Sequence, residues 1–399
     1  MSSRVLTGLD RLAAQGTWVR GRRVGLLANQ AAVTCELEPA WELVPRLGGV
    51  LVRMFAPEHG LFGLAQDMEA VGHHRWRGVP VVSLYGASVD SLKPRPELLA
   101  DLDLLVVDLP DIGCRYYTFA ATMAYALAAC EAAGVEVVVC DRPNPLGGEI
   151  LEGGPVEACC RSFVSELPVP VRHGMTLGEL ALLLQTERHP KLTLTVLACE
   201  GWSRGAWWDE TGLPWVAPSP NMPTLATATV YPGACLVEAT NLSEGRGTTR
   251  PFLLTGAPWL DGEALARRLN ALELPGIMFR PTFFRPEFQK HAGTVCGGVE
   301  WHVTNRHAFH PLATGIVLLR EVRRLHPDRF AWRAEPYEFL EDPPAIDLLT
   351  GSPLARQVVE GERELDEVLE QWEGYCREFR EYRRQFLLAS TSRSGAEVG

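Results

Sequence analysis

Glu58 and His59 stand directly after an apolar run, Val50-Leu51-Val52-Arg53-Met54-Phe55, in the segment Ala56-Pro57-Glu58-His59-Gly60. The run predicts a buried strand, and the turn then sets a carboxyl group beside an imidazole where the strand stops. Ligands of open α/β sheets bind outside the carboxyl ends of the strands. A glutamate with little access to water there has a raised pKa and can act as a general acid, with His59 tuning it or binding a hydroxyl. Standing alone, such a pair caps or salt-bridges a turn. Four more runs, however, end in the same way. Residues 23–27 lead into Ala28-Asn29-Gln30, and residues 79–84 into Tyr85-Gly86. Residues 102–107 lead into Asp108-Leu109-Pro110-Asp111-Ile112-Gly113-Cys114-Arg115, and residues 135–140 into Asp141-Arg142-Pro143-Asn144-Pro145. Such ends on one rim of a sheet build a single crevice.

The elements that must position these residues follow from the runs themselves. Each is short, β-branched and nearly continuous, the pattern of parallel strands covered on both faces. Residues 38–47 and 118–133 read as crossover helices, the second stopped by Gly134. Strand, helix and strand in repetition give an α/β, Rossmann-like, doubly wound and mainly parallel sheet. Residues 147–170 read as a loop excursion. A helix over 176–187 opens with Thr176 and Glu179 at capping-box spacing, and 192–198 reads as a strand.

Residues 200–260 show little periodicity and are rich in Trp, Pro, Gly, Ser and Thr, with Trp202, Trp207, Trp208, Trp215 and Trp259 among them. Long irregular segments in compact domains usually carry function. Aromatic faces with hydroxyl and amide donors suit a sugar, although tryptophans also plug loops. Beyond them, 261–272 reads as a helix, 277–288 and 297–304 as strands, and 312–325 and 363–387 as amphipathic helices. The expected organisation is a catalytic domain over 1–255, a smaller α/β domain over 256–390 that closes the cleft, and a flexible tail over 391–399.

Composition bounds the function. The 399 residues are 46% hydrophobic and 22% charged, with a formal net charge of −11. That balance fits a soluble globular enzyme and argues against nucleic-acid or anionic-membrane partners. No stretch approaches the ~20 apolar residues of a membrane span, and the first residues lack the apolar core of a signal peptide. The ten cysteines are scattered, without a Cys-x-x-Cys pair, and read as reduced thiols. A cytoplasmic location is expected, although the mature part of an exported precursor would read the same. No Gly-x-Ser-x-Gly, Walker A or His-Glu-x-x-His sequence occurs, and no Gly-x-Gly-x-x-Gly follows the first strand. His73-His74, and His302, His307 and His310, lack metal-ligand spacing. The expectation is an enzyme with no metal and no cofactor.

Taken together, the motifs resemble those of the NamZ-like exo-β-N-acetylmuramidases. The segments that carry the resemblance are Pro57-Glu58-His59-Gly60, Ser83-Leu84-Tyr85-Gly86, Asp111-Ile112-Gly113 with Arg115-Tyr116-Tyr117-Thr118, and Asp141-Arg142-Pro143-Asn144-Pro145. Further on come His173-Gly174-Met175-Thr176-Leu177-Gly178-Glu179, Pro218-Ser219-Pro220-Asn221-Met222-Pro223, Tyr231-Pro232-Gly233 and Glu244-Gly245-Arg246-Gly247-Thr248-Thr249 with Pro251-Phe252. The resemblance implies a Rossmann-like domain joined to a smaller α/β domain, with the site between them. It implies release of N-acetylmuramic acid from the non-reducing end of peptidoglycan fragments. Muramyl-terminated saccharides or muropeptides would be the partners, and the oligomeric state stays open.

Two departures from the family pattern are Pro110, where Gln is usual, and Ala28, where Thr is usual. The proposed catalytic Glu falls at Glu58. Glycoside hydrolysis needs a second group at the anomeric carbon, and Glu244, Asp111, Asp141 or the sugar's own 2-acetamido group can fill that role. Arg115, Arg142 and Arg246 can pair with the lactyl carboxylate that distinguishes muramic acid from glucosamine. Asn29, Tyr85, Tyr117, Asn144, Ser219, Asn221 and Thr248 complete the expected sugar-binding set. A muramyl-sugar binding module without chemistry, and a nucleotide-dependent enzyme, are the competing readings. The missing Gly-rich turn counts against the second.

Overall fold

The computed structural model describes residues 4–389; the expected tail, 391–399, lies outside the described residues. Strands β1 (Arg23–Ala28), β2 (Val50–Ala56), β3 (His74–Trp76), β4 (Val79–Ser83), β5 (Leu104–Asp108), β6 (Glu136–Cys140) and β7 (Leu194–Leu197) form one sheet. Their order is β3-β4-β2-β1-β5-β6-β7, and every pairing but that of edge strand β3 with β4 is parallel. Order reverses between β1 and β5, the topological switch point of a doubly wound sheet.

Side chains alternate across the strands. Leu26, Met54, Leu104, Val106 and Val138 share one core with Leu9 and Leu12 of helix α1 (Gly8–Gln15) and Leu43 and Val44 of α2 (Ala40–Arg46). Leu27, Phe55, Leu105, Val107 and Val139 pack on the other face with Met123 and Leu127 of α3 (Phe119–Ala133) and Leu180 and Leu184 of α4 (Leu177–Arg188). Burial on both faces is why these strands carry no polar alternation. Gly134 ends α3 in the left-handed region at φ 70°, and the Thr176–Glu179 capping box opens α4, both as expected.

Several helices were not expected, α1 among them. Helix α5 (Leu225–Ala234) lies within the stretch that reads as irregular. It contains Pro232 and the β-branched Thr227, Thr229 and Val230, and its second half is buried all round, so it shows no polar stripe. Tertiary packing holds it. A Cβ on Gly233 would stand 1.8 Å from the Pro311 carbonyl oxygen, at the start of a helix it packs against. Glycine is therefore required where these two helices touch.

Strand β8 (Leu254–Ala257) opens a second sheet with β9 (Ile277–Phe284) and β10 (Cys296–Val303), antiparallel in the order β8-β10-β9. Helix α6 (Gly262–Ala271) packs on it, and α7 (Pro311–Leu325) packs against α6 and α5. Trp301 fills its core and donates to Thr255 Oγ1 at 3.1 Å. After α8 (Ala345–Thr350) and α9 (Leu354–Glu360), the long α10 (Leu365–Tyr382) packs back on the loop of residues 153–168, where Tyr375 and Cys376 bond the Pro168 and Gly153 carbonyls. Arg383 donates to the carbonyls of Gly148, His173 and Gly174. None of the ten cysteines is in a disulfide, and no helix among the described residues is long and apolar enough to cross a membrane.

Candidate active site

Because the strands are parallel, Asn29, Glu58, Tyr85 and Asp141 all emerge at one rim. What each then meets differs. After β2 the chain turns through His59 at φ 69° and Gly60 at φ 79°. A left-handed histidine is strained, and its Nδ1 is anchored 3.0 Å from the Ala65 carbonyl oxygen. The turn buries Glu58, whose Oε2 accepts from Thr118 Oγ1 at 2.7 Å and whose Oε1 faces the Met68 N–H at 3.5 Å.

Two other carboxylates converge on Glu58. Oxygens of Glu58, Asp67 and Glu338 all lie within 4.8 Å of one another. Glu338 arrives from the second half of the chain, on a tight turn between Tyr337 and Leu340 whose central residues, Glu338 and Phe339, have φ 46° and 69°. Its Oε2 accepts from Tyr85 OH at 3.1 Å. Burial, then the charges of Glu58 and Asp67, push the Glu338 carboxyl well above the ordinary range. Burial also raises Asp67; Arg246 opposes the shift and Glu58 adds to it. Burial and like charge thus push Glu338 and Asp67 toward their protonated forms. Three oxygen donors also suit a hard cation such as Ca²⁺ or Mg²⁺, and this is the one converging ligand group among the described residues. None of His73, His74, His302, His307 and His310 belongs to it.

Around the carboxylates lies a chamber of about 20 Å³, lined also by His59, Tyr117, Ser219, Asn221 and Arg246. It has room for about one water molecule. Asp67 and Glu238 are shared with an adjoining outer cleft of about 560 Å³, which Glu244, Asn241, Lys290, Trp332 and Arg333 help to line. That volume is ordinary for a small-molecule site.

The segment 238–249 builds the wall between the two. Arg246 donates to Glu238 at 2.6 Å, lies 3.3 Å from both Asp67 and Glu244, and stacks over Phe252 at 4.9 Å. Glu238 also accepts from Tyr337 OH at 2.7 Å. Glu244 pairs with Lys290 at 3.0 Å. Burial works against its charge, yet Lys290 and Arg246 hold the Glu244 carboxyl below the ordinary range. Glu244 is thus kept ionised while its neighbours are pushed toward protonation.

Of the expected residues, Glu58, His59, Tyr117, Ser219, Asn221 and Arg246 meet in the chamber, Tyr85 backs it through Glu338, and Glu244 lines the outer cleft. The others lie in the surrounding framework. Asn29 donates to the Pro218 carbonyl at 2.8 Å and so holds the Ser219 loop to the end of β1. Asp111 accepts from Gly113 N at 2.7 Å and sits 3.3 Å from His173 Nε2. Arg115 donates to the carbonyls of Gly154, Val169, Leu349 and Thr350. Arg142 forms a buried ion pair with Asp108, at 2.5 and 2.8 Å, that occupies the switch point. Asp141 accepts from Gly178 N at 2.8 Å at the start of α4, Asn144 donates to the Met175 carbonyl, and Thr248 donates to the Gly245 carbonyl. The five tryptophans of 200–260 line neither the chamber nor the outer cleft; Trp208 and Trp215, for instance, stack edge to face at 5.6 Å. Trp332 is the indole that faces the cleft.

Asp67, Thr118, Glu238, Lys290, Arg333 and Glu338 were not among the expected residues. Thr118 stands inside the Arg115–Thr118 motif, whose spacing put it within reach. Asp67 and Glu338 stand at no strand end, and nothing local marks them.

Comparison with known proteins agrees with the motifs. Residues 24–226 match the family model described as exo-beta-N-acetylmuramidase NamZ, N-terminal, and residues 229–388 match its C-terminal counterpart. The chain is 40% identical over 389 residues to the peptidoglycan beta-N-acetylmuramidase NamZ of Bacillus subtilis, covering 96% of this chain and 91% of that one. A crystal structure of a DUF1343 family protein from Bacteroides fragilis superposes with a TM-score of 0.86 at 33% identity, covering 97% of this chain and 99% of the other. A second DUF1343 protein from the same organism gives a TM-score of 0.75 at 26% identity, with 98% and 100% coverage.

Proposed function

We propose that this chain, which belongs to the NamZ exo-β-N-acetylmuramidase family, releases N-acetylmuramic acid from the non-reducing end of peptidoglycan fragments, with Glu58 as the general acid. It is a glycoside hydrolase. The observation that carries the residue assignment is the convergence of Glu58, Asp67 and Glu338 at the inner end of the cleft. The sugar lies in the outer cleft with its glycosidic oxygen within reach of Glu58 and the leaving chain running out of the cleft to solvent; Glu58 gives its proton to the leaving oxygen, and water ends on C1 of the released sugar. The second role falls to Glu244, held as a carboxylate by Lys290 and Arg246, or to the substrate's 2-acetamido group. Asp111 and Asp141, engaged in the framework, leave that role. Thr240 and Asn241 offer hydroxyl and amide partners for the sugar in the outer cleft, while Tyr117, Ser219 and Asn221 line the chamber behind it.

An outer cleft that stops at a small chamber bounded by Tyr337 and Glu338 supports action on a chain terminus rather than a chain middle. Digestion of a muramyl-terminated oligosaccharide should release monosaccharide from the first time point. Early appearance of internal fragments would overturn the exo reading.

A further inference from the structure

We propose that Arg333, in the outer cleft, recognises the lactyl carboxylate of the muramyl unit. The inference rests on the muramidase reading and names the residue behind its specificity. Muramic acid differs from glucosamine by one ether-linked carboxylate, so a selective site must offer positive charge that the protein has not already neutralised.

The other cations of the rim and cleft are committed. Arg115 serves four carbonyls and Arg142 serves Asp108. Arg246 faces Asp67, Glu238 and Glu244, three carboxylates around one guanidinium, so a fourth would be repelled. Lys290 donates to the carbonyls of Val237, Glu238 and Leu242 as well as to Glu244.

Arg333 differs. Its Nε donates to the Glu335 carbonyl at 3.3 Å, its Nη2 lies 3.7 Å from Met68 Sδ, and its guanidinium stands 5.6 Å from the Tyr337 ring. Among the described residues, no carboxylate lies within ion-pair distance of it. A thioether is a weak acceptor, so an incoming carboxylate gains a charge-assisted bond without breaking an ion pair. Arg333 is half-buried in the cleft wall, where partial desolvation strengthens such a bond. Met68 also places it: the residue that Nη2 touches is the one whose N–H faces Glu58 Oε1. The guanidinium is thus one residue removed from the general acid, the right order of separation for a substituent on O3 of a sugar whose C1 faces Glu58.

The test compares wild type, Arg333→Gln and Arg333→Lys on a chromogenic β-N-acetylmuramide, its lactyl methyl ester and the matching β-N-acetylglucosaminide. Arg333→Gln should lower kcat/KM on the free acid by about 100-fold, mainly through KM, because the contact holds ground state and transition state alike. Wild type should prefer acid to ester by a similar factor, Arg333→Gln should barely distinguish them, and Arg333→Lys should restore part of the preference. Equal losses on acid and ester, an unchanged variant, or a wild type indifferent to esterification would overturn the assignment. A wild type inactive on all three substrates would instead strike the muramidase reading. Calorimetric binding of free N-acetylmuramic acid and its methyl ester to wild type and Arg333→Gln would then decide Arg333 separately, by the same comparison.

Discussion

Replacing Glu58 with glutamine changes one proton and little else. The amide oxygen can still accept from Thr118 Oγ1, a 2.7 Å bond in the native site, so the turn after β2 should hold. Loss of a general acid typically costs about 10²–10⁴ in rate, or roughly 3–5 kcal/mol at the transition state. The same change relieves the carboxylate cluster. Oxygens of Glu58, Asp67 and Glu338 lie within 4.8 Å of one another. Two unit charges at that distance repel by roughly 3 kcal/mol through an effective dielectric constant of about 20. Partial protonation lowers that figure in the native protein, but its sign is fixed. Glu58→Gln should therefore lose turnover while its thermal midpoint stays level or rises. The assay pairs initial rates on a chromogenic muramide with a melting curve for the same preparation. A rate within fivefold of wild type would remove Glu58 from the mechanism. A large rate loss accompanied by a lowered midpoint would show that Glu58 holds the fold instead.

Two further predictions address the framework. Arg142→Leu leaves the Asp108 carboxylate buried without its ion-pair partner and should cost about 3–5 kcal/mol in urea unfolding, while the folded fraction keeps its preference for muramide over glucosaminide. A stable variant with lost preference would return Arg142 to substrate binding. Asp141 has its carboxyl pushed up to about 7, chiefly by burial and then by Glu179. Its folded pKa exceeds the unfolded one, so its contribution is fully present below about pH 4 and is lost as pH rises through about 7. At ~1.4 kcal/mol per pKa unit the loss reaches roughly 4 kcal/mol, and Asp141→Asn should flatten the fall in urea midpoint between pH 5 and pH 8. Parallel pH profiles for the two proteins would refute it.

Local pattern alone marked six of the seven strands of the first sheet and the rim at which the candidate site lies. Strands buried on both faces need continuous apolar runs, and β1, β2, β5 and β6 show them. A parallel sheet brings the ends of such runs to one rim, so Glu58 could be placed before any contact was known. The capping box at Thr176 and the stop at Gly134 were legible because each is settled within one turn of helix. Helix α5 was not, because a helix buried all round by its neighbours carries no stripe of its own.

Tertiary structure decided the charges. Arg142 and Arg246 are the same residue type at comparable positions after a run or a loop. One neutralises Asp108 at the sheet centre, and the other binds three carboxylates at the site. Glu338 reaches Glu58 from far along the chain, on a turn no local signal marks. Apolar periodicity is a property of neighbouring residues, and burial reads it directly. A carboxylate's proton, or an arginine's unspent charge, depends on which distant side chains share the same few ångströms, and only the folded chain brings those together.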